Sequence, residues 1–408
     1  MPQLSSPTMA TGGAVHQSPP PFEVADIVRA YGGAFRATHP VSHEQAKVLR
    51  AIAQCRTAAL GGHVEVCEAC GREQICYDSC RNRHCPKCQG AARAKWLAAE
   101  QALLLPVPYF HLVFTLPHTL NPLLRVNQRA LYHLLFQAAT QTLQEFARDP
   151  QHLGAELGIT AVLHTWGQTL TEHVHLHCVV TGGGLTTAGT QWRMGRRRFL
   201  FAVKALSQVF RGKYLAGLRR LRSQHQLTFA GESAEWRAEE AWTRFLGQLQ
   251  ARAWVVYAKP PWGGPEQVLK YLSRYTHRVA LANHRLVFVG DGLVRFRYKD
   301  YGTGGAPKVM ELTAEEFLRR FLLHVVPPHF VRIRHFGLLA NRTRQAKLTR
   351  CRQLLAVAAT AVTFLLPAGP QESSPASPAP AAPALCPVCG GGRLRVTARL
   401  APQRGIPP

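Results

Sequence analysis

The spacing of apolar residues sorts the chain into helical and strand-like stretches. From residue 23 to about 60 the period is helical, VADIVRAYGGAF followed by HEQAKVLRAIAQCRTAAL, with Ser42 placed to cap the second segment. AARAKWLAAEQALLL (91–105) predicts an Ala- and Leu-rich helix that stops at Pro106. Beyond it the character changes. YFHLVFTLP (109–117) is a β-rich run bounded by prolines, and LRVNQRALYHLLFQAATQTLQEFA (124–147) is a long helix. GITAVLHTWGQ (158–168) and HVHLHCVVTGGG (173–184) read as two strands joined by a short turn. Further predictions are a basic helix at 201–222, a strand at 254–260 and a helix at 266–277 after Pro265. A hairpin around Gly-Asp-Gly follows at 285–300, then a helix at 313–326 opening on a Thr-Ala-Glu-Glu cap box. The order from 109 onward is β, long α, β, β, then α and β again. That order predicts an α+β fold, an antiparallel sheet with helices on one face. No internal repeat is visible.

Charge narrows the partner. The 408 residues carry 49 Lys plus Arg against 23 Asp plus Glu, a formal net charge of +26. Such an excess repels itself unless an anionic polymer or surface balances it, which points to nucleic acid before an acidic membrane. A membrane role is the weaker of the two, since no strong basic amphipathic anchor is present. The longest apolar run, LLAVAATAVTFLL (354–366), has thirteen residues, short of the roughly 18–20 that span a bilayer. It reads as a buried or docking helix. The N-terminus has neither the basic region nor the apolar run of a secretory signal, so a cytoplasmic, nucleoid-associated protein is expected. In that compartment eleven cysteines argue for metal rather than disulfides.

Cys67-x2-Cys70 and Cys85-x2-Cys88 are separated by fourteen residues. Two such knuckles give the tetrahedral sulfur set that structural zinc (Zn2+) prefers. Cys80 and His84 lie within the second half and His63 just before the first, so ligand swaps or a second ion remain open. A lone CPVC pair, Cys386 and Cys389, follows near the far end, either half of a truncated zinc ribbon or vestigial.

His173, His175 and His177 recur at every second position, so on a strand their imidazoles share one face. Val174, Leu176, Cys178 and Val180 then face the core. Cα atoms two apart on a strand stand about 6.5–7 Å from each other, a span that a metal with bonds of about 2.1 Å can bridge. Gln168, at the end of the preceding strand, is the expected third ligand, with His173 and Glu172 as competitors. Positions left for water and a substrate oxygen are what a catalytic cation requires.

Tyr271 and Tyr275 are four apart on a predicted helix, which puts both hydroxyls on one face, flanked by Lys270, Arg274 and Arg278. A phenol is a weak nucleophile at neutral pH. It can attack a phosphodiester that a metal polarises and holds in line, giving a phosphotyrosine and a 3′ hydroxyl without spending ATP.

Together these stretches resemble the two-tyrosine HUH transposases of bacterial rolling-circle insertion sequences. The resemblance runs from about residue 45 to 355. It is carried by CRTAALGGHVEVCEACG, SCRNRHCPKCQ, FHLVFTLPHTLN, VLHTWGQTLTEHVHLHCVVTGGG, YLSRYTHRVALANHRL, RFRYKDY and PPHFVRIRHFGLLANRTR in that order. It implies a ferredoxin-like HUH palm preceded by a small helical zinc-binding domain. It also implies a histidine pair at His175 and His177, tyrosine nucleophiles at Tyr271 and Tyr275, and Mg2+ or Mn2+ as catalytic cation. The implied activity is nicking and rejoining of single-stranded DNA at element ends. Two departures are Val174, where a proline is expected, and the additional Cys76.

The expected domains are a disordered tail (1–22), a zinc-binding domain (23–105), the catalytic domain (106–345) and a basic and apolar helix with linker and CxxC tail (346–408). Arg295, Arg297 and Lys299 alternate on one strand face as a phosphate track, and Arg332 and Arg334 repeat the pattern. The competing readings are a replication initiator or relaxase with the same nucleophile chemistry, and a non-catalytic DNA-binding relic.

Overall fold

The computed structural model describes residues 21–195, 200–259, 280–363 and 385–403. Its centre is one antiparallel sheet with strand order β11-β4-β5-β3-β7, and β6 paired to the end of β5. The strands are β3 (Tyr109–Thr115), β4 (Glu156–Trp166), β5 (Glu172–Leu185), β6 (Trp192–Met194), β7 (Val256–Lys259) and β11 (Ile333–Gly337). Strand alternation decides the two faces. Phe110, Leu112 and Phe114 of β3, Ile159, Ala161 and Leu163 of β4, and Val174, Leu176, Cys178 and Val180 of β5 all enter one apolar core. Three helices supply its other side: α5 (Gln128–Arg148), α6 (Val203–Ser223) and α7 (Glu239–Ala251). Phe210 of α6 meets Phe114 edge to face at 5.0 Å. The sheet with helices on one face is the α+β palm that the element order predicts; α7 lies where no helix was read.

A second core joins the start of the described chain to residues 280–325. Helices α1 (Val24–Thr38), α2 (His43–Gln54) and α8 (Ala314–Leu323) pack on a three-stranded sheet of β8 (Leu286–Gly290), β9 (Leu293–Asp300) and β10 (Ala306–Thr313). Both sequence-read caps are present: Ser42 Oγ accepts from the Gln45 amide at 3.2 Å, and Thr313 Oγ1 accepts from the Glu316 amide at 3.2 Å. Leu170, at the tip of the β4–β5 hairpin, is wholly buried in this core although its φ is +61°.

A third sheet lies within the cysteine-rich region. There β1 (Gly62–Cys67) pairs with β2 (Glu73–Tyr77) on one side and with β12 (Leu394–Leu400) on the other, so the far end of the chain completes a sheet begun near its start. The expectation of a helical zinc-binding region holds for α1, α2 and α3 (Gln89–Gln101) but leaves out this sheet. Helix α4 (Asn121–Val126) leads into α5, and α9 (Arg344–Thr363) seats Leu348 and Cys351 against Leu105, Tyr109 and Val179. No helix among the described residues is long and apolar enough to cross a membrane.

Candidate active site and metal clusters

The sheet face opposite the main core carries imidazoles. His175 and His177 of β5 stand on it as strand alternation requires, their Nε2 atoms 3.0 Å apart. A third imidazole joins them that the sequence reading passed over. His164 of β4 lies directly across from His175 in the β4–β5 register, and one ring nitrogen from each of the three falls within 4.8 Å of the others. All three are buried. His164 stacks on Trp166 at 4.7 Å, which fixes its ring.

The supporting hydrogen bonds select which nitrogens face inward. His175 Nδ1 donates to the His173 carbonyl at 2.7 Å, leaving Nε2 as the lone-pair atom. His177 Nδ1 lies 2.9 Å from His111 Nε2, which again leaves Nε2 for a ligand role. Burial pushes His175 down to about 3 and His111 down to about 4, and holds His177 well below the usual imidazole range. At neutral pH these are neutral rings, the protonation state that metal ligation needs. The donor set therefore fits a divalent cation.

The imidazoles open on a cavity of about 600 Å³ whose wall includes Gln168, His173, Tyr257, Lys259, His284 and Arg285. Gln168, expected as third ligand, lines this cavity, and its backbone carbonyl accepts from Arg285 Nη2 at 2.6 Å. The loop between β4 and β5 spans residues 167–171, so Gln168 sits in the turn rather than on the strand. Of the two competitors, His173 lines the cavity with its Nδ1 3.3 Å from His118 Nε2. Glu172 is committed elsewhere, paired with Arg125 at 2.6 Å. Tyr271 and Tyr275, with Arg274 and Arg278, lie outside the described residues. The described chain stops at Lys259 and resumes at Ala280, and both of these residues line the cavity.

The cysteines correct the sequence reading. Cys67 and Cys70 do not stand with Cys85 and Cys88. Two separate groups of four sulfurs form instead, Cys55 with Cys80, Cys85 and Cys88, and Cys67 with Cys70, Cys386 and Cys389. The reason is the β1–β2 hairpin. Six residues of β1 carry the chain roughly 17 Å away before the Cys67–Cys70 turn. The return along β2 brings Cys80 back to Cys55 at the end of α2. In the first group Cys55 and Cys80 each place Sγ 3.6–3.7 Å from that of Cys88. Regular tetrahedral zinc with Zn–S bonds of about 2.3 Å needs sulfurs about 3.8 Å apart. A disulfide would need about 2.05 Å. His84 lies outside both groups and is pushed down to about 3 by burial and the nearby Arg332 and Arg83. His63, Glu65 and Cys76 form a smaller set on the β1–β2 pair.

Of the expected phosphate contacts, Arg295, Arg297 and Lys299 share the exposed face of β9, while Val294 and Phe296 fill the core. Arg295 is paired with Glu311 at 2.5 Å, which leaves Arg297 and Lys299 as the more open cations. The 331–336 segment differs from its reading. Arg334 lays its guanidinium over Phe136 at 4.2 Å and Phe330 at 4.9 Å, a cation–π contact that leaves it only partly exposed. Arg332 is half-buried beside Arg83.

Comparison with known proteins gives these sites a family. The family described as "Transposase zinc-binding domain" matches residues 27–116, and the one described as "Putative transposase" matches residues 158–347. "Putative transposase y4qJ" of Sinorhizobium fredii is 48% identical over 380 residues, covering 91% of this chain and 94% of that protein. The chain belongs to this transposase family. A second transposase relative, "Transposase for insertion sequence element IS801" of Pseudomonas savastanoi pv. phaseolicola, is 30% identical over 356 residues, 85% of this chain and 82% of that protein. The family is the one that the cysteine, histidine and tyrosine motifs resemble. Among solved structures, conjugative relaxase TrwC bound to oriT DNA, in metal-bound and copper-bound forms, is similar at TM-scores of 0.23 and 0.22 and 14% and 15% identity. These matches cover 41% of this chain and 70% and 68% of those chains.

Proposed function

We propose that this transposase nicks and rejoins single-stranded DNA at the ends of an insertion sequence through a covalent 5′-phosphotyrosine. What supports the reading is one juxtaposition. Three buried imidazoles face a cavity, and the residues on either side of the segment that carries Tyr271 and Tyr275 line that same cavity. His164, His175 and His177 would hold a divalent cation through ring nitrogens. An all-imidazole set suits Mn2+ better than Mg2+, which prefers oxygen donors. When bound, the cation would polarise the scissile phosphodiester.

The chain's own residues then do the rest. A phenolate oxygen of Tyr271 or Tyr275 attacks phosphorus. The P–O3′ bond breaks, and the 3′ oxygen leaves and takes up a proton. The phosphate ester on tyrosine keeps the free energy needed for rejoining. Lys259 and Arg285 on the cavity wall supply positive charge for the phosphate. The second tyrosine would accept the next strand while the first is loaded. Arg297 and Lys299 would track the backbone of the incoming strand. Cys55, Cys80, Cys85 and Cys88 would hold structural zinc, since four sulfurs leave no position for substrate. The transposase relatives favour this reading over a replication initiator with the same chemistry.

Covalent trapping tests it. A 3′-labelled single-stranded element-end oligonucleotide incubated with Mn2+ should migrate with the protein and fail to do so when both tyrosines become Phe. A labelled adduct that persists in the Tyr271→Phe/Tyr275→Phe protein would remove the tyrosines from the mechanism.

A further inference from the structure

Cys386 and Cys389 lie at one end of the chain and Cys67 and Cys70 near the other, yet their sulfurs meet. Cys67 and Cys389 place Sγ atoms 3.6 Å apart, and Cys70 and Cys386 place theirs 3.8 Å apart. All four fall within 4.8 Å of one another. The two pairs are built alike. Each is Cys-x2-Cys-Gly with the glycine in the left-handed region, Gly71 at φ +69° and Gly390 at φ +70°. In each, that glycine's amide donates to the carbonyl of the first cysteine at 2.9 Å. In each, a further amide points at a sulfur, Cys70 N to Cys67 Sγ at 3.5 Å and Gly392 N to Cys389 Sγ at 3.4 Å. Amide donors aimed at sulfur favour thiolate over thiol.

The approach is also specified by a missing side chain. A Cβ on Gly392 would stand 2.3 Å from Cys67 Sγ and 2.7 Å from Ala69 Cβ, so only glycine lets the two turns close. Beyond the turn, β12 runs beside β1 from Leu394 opposite Cys67 to Leu400 opposite Gly62.

We propose that Cys67, Cys70, Cys386 and Cys389 bind a second structural zinc ion, which clasps the far end of the chain to the cysteine-rich region. The sulfur spacing is that of the first cluster and of regular tetrahedral zinc, about 3.8 Å. Binding exchanges four thiol protons for one Zn2+, with no change of oxidation state. The ion would join two segments more than 300 residues apart and hold β12 as the third strand of its sheet. Neither the histidine site nor the tyrosine chemistry enters this inference.

The test is zinc stoichiometry on the full-length protein. Zinc released by a thiol-specific mercurial, after dialysis against a mild chelator has stripped histidine-held metal, should be two per wild-type chain. Cys386→Ser/Cys389→Ser should release one. Equal release from the variant and the wild type would overturn the clasp. A second measurement needs no variant. Cys389 is exposed, so its thiol should react quickly with iodoacetamide unless a metal holds it. Alkylation of Cys386 and Cys389, read by mass spectrometry, should be at least tenfold slower in the zinc-loaded protein than after strong chelation. Equal rates would likewise sink the proposal.

Discussion

His111 offers the sharpest check on the imidazole cluster, because it touches a candidate ligand without being one. Its Nε2 lies 2.9 Å from His177 Nδ1, and both rings are buried. If His177 binds a cation through Nε2, its Nδ1 must carry the proton and donate to His111. His111 can accept because burial pushes it down to about 4, so it is neutral at pH 7. His111→Phe keeps a ring of similar size and removes that acceptor. A buried donor that loses its partner costs about 1–3 kcal/mol. Removing an outer partner of a metal-bound histidine costs about 10–100-fold in affinity, or about 1.4–2.7 kcal/mol, so the two estimates agree. Calorimetric titration with Mn2+ at pH 7 should therefore show His111→Phe binding about 10–100-fold more weakly than wild type. His111→Gln, which retains an acceptor, should recover part of the loss. Thermal melting without metal checks that each variant folds. If a folded His111→Phe bound Mn2+ as tightly as wild type, His177 would not be acting through Nε2 as argued.

Removing a ligand should cost more than removing its support: His164→Ala should weaken Mn2+ more than His111→Phe does, with nicking partly restored at raised Mn2+. Nicking by His164→Ala at the wild-type Mn2+ optimum would return the third-ligand role to Gln168. Arg297→Ala and Lys299→Ala should each lower single-stranded DNA affinity and reduce the salt slope of log K by about 0.7, read from fluorescence anisotropy across a salt series. His324 should make the fold acid-sensitive. Its Nε2 donates to the Leu170 carbonyl at 3.0 Å, its Nδ1 lies 3.3 Å from the Thr165 hydroxyl, and burial pushes it down to about 4. The unfolded chain takes up this proton below about pH 6.5 and the folded chain does not. Stability is therefore fully present above that pH and is lost as pH falls toward 4, by roughly 3 kcal/mol for this group. Urea midpoints at pH 7 and pH 5 should lie closer together for His324→Gln than for wild type; an identical acid loss would clear His324 of the effect.

The palm was legible because its signals are local. Alternation of His175 and His177 against Val174, Leu176, Cys178 and Val180 assigns both faces of β5, and the structure buries the second set under helices as read. His164 was hidden by register. A short turn between strands ending at 168 and starting at 173 would bring Gln168 beside the His175–His177 pair. The strands in fact end at Trp166 and Glu172, and a bulge between His164 and Trp166 shifts the pairing by one residue. The cysteines failed for a different reason. Cys-x2-Cys spacing identifies a knuckle but says nothing of its partner, and the nearest knuckle in sequence was the wrong one for Cys67 and Cys70. Arg334 misled because an alternating basic residue looks the same whether it faces phosphate or lies over Phe136.

The hairpin that carries the imidazoles is gripped at its tip by the core beside the first cysteine cluster. Leu170 adopts φ +61°, a conformation that costs a residue with a Cβ about 1–2 kcal/mol. Full burial of a leucine side chain returns about 1.5–3 kcal/mol, so docking outweighs the backbone strain. The core that receives it also contains Cys55 and Cys85. From the other side, Arg285 donates to the Gln168 carbonyl at 2.6 Å and to the Arg297 carbonyl at 2.7 Å, tying the loop to β9. An isolated hairpin would leave His164 and His175 at a mobile end of the sheet. Here the end is pinned by a core whose own packing includes Cys55 and Cys85, which gives the cysteine-rich region a physical reason to accompany the palm: it helps fix the strand pair that carries the imidazoles.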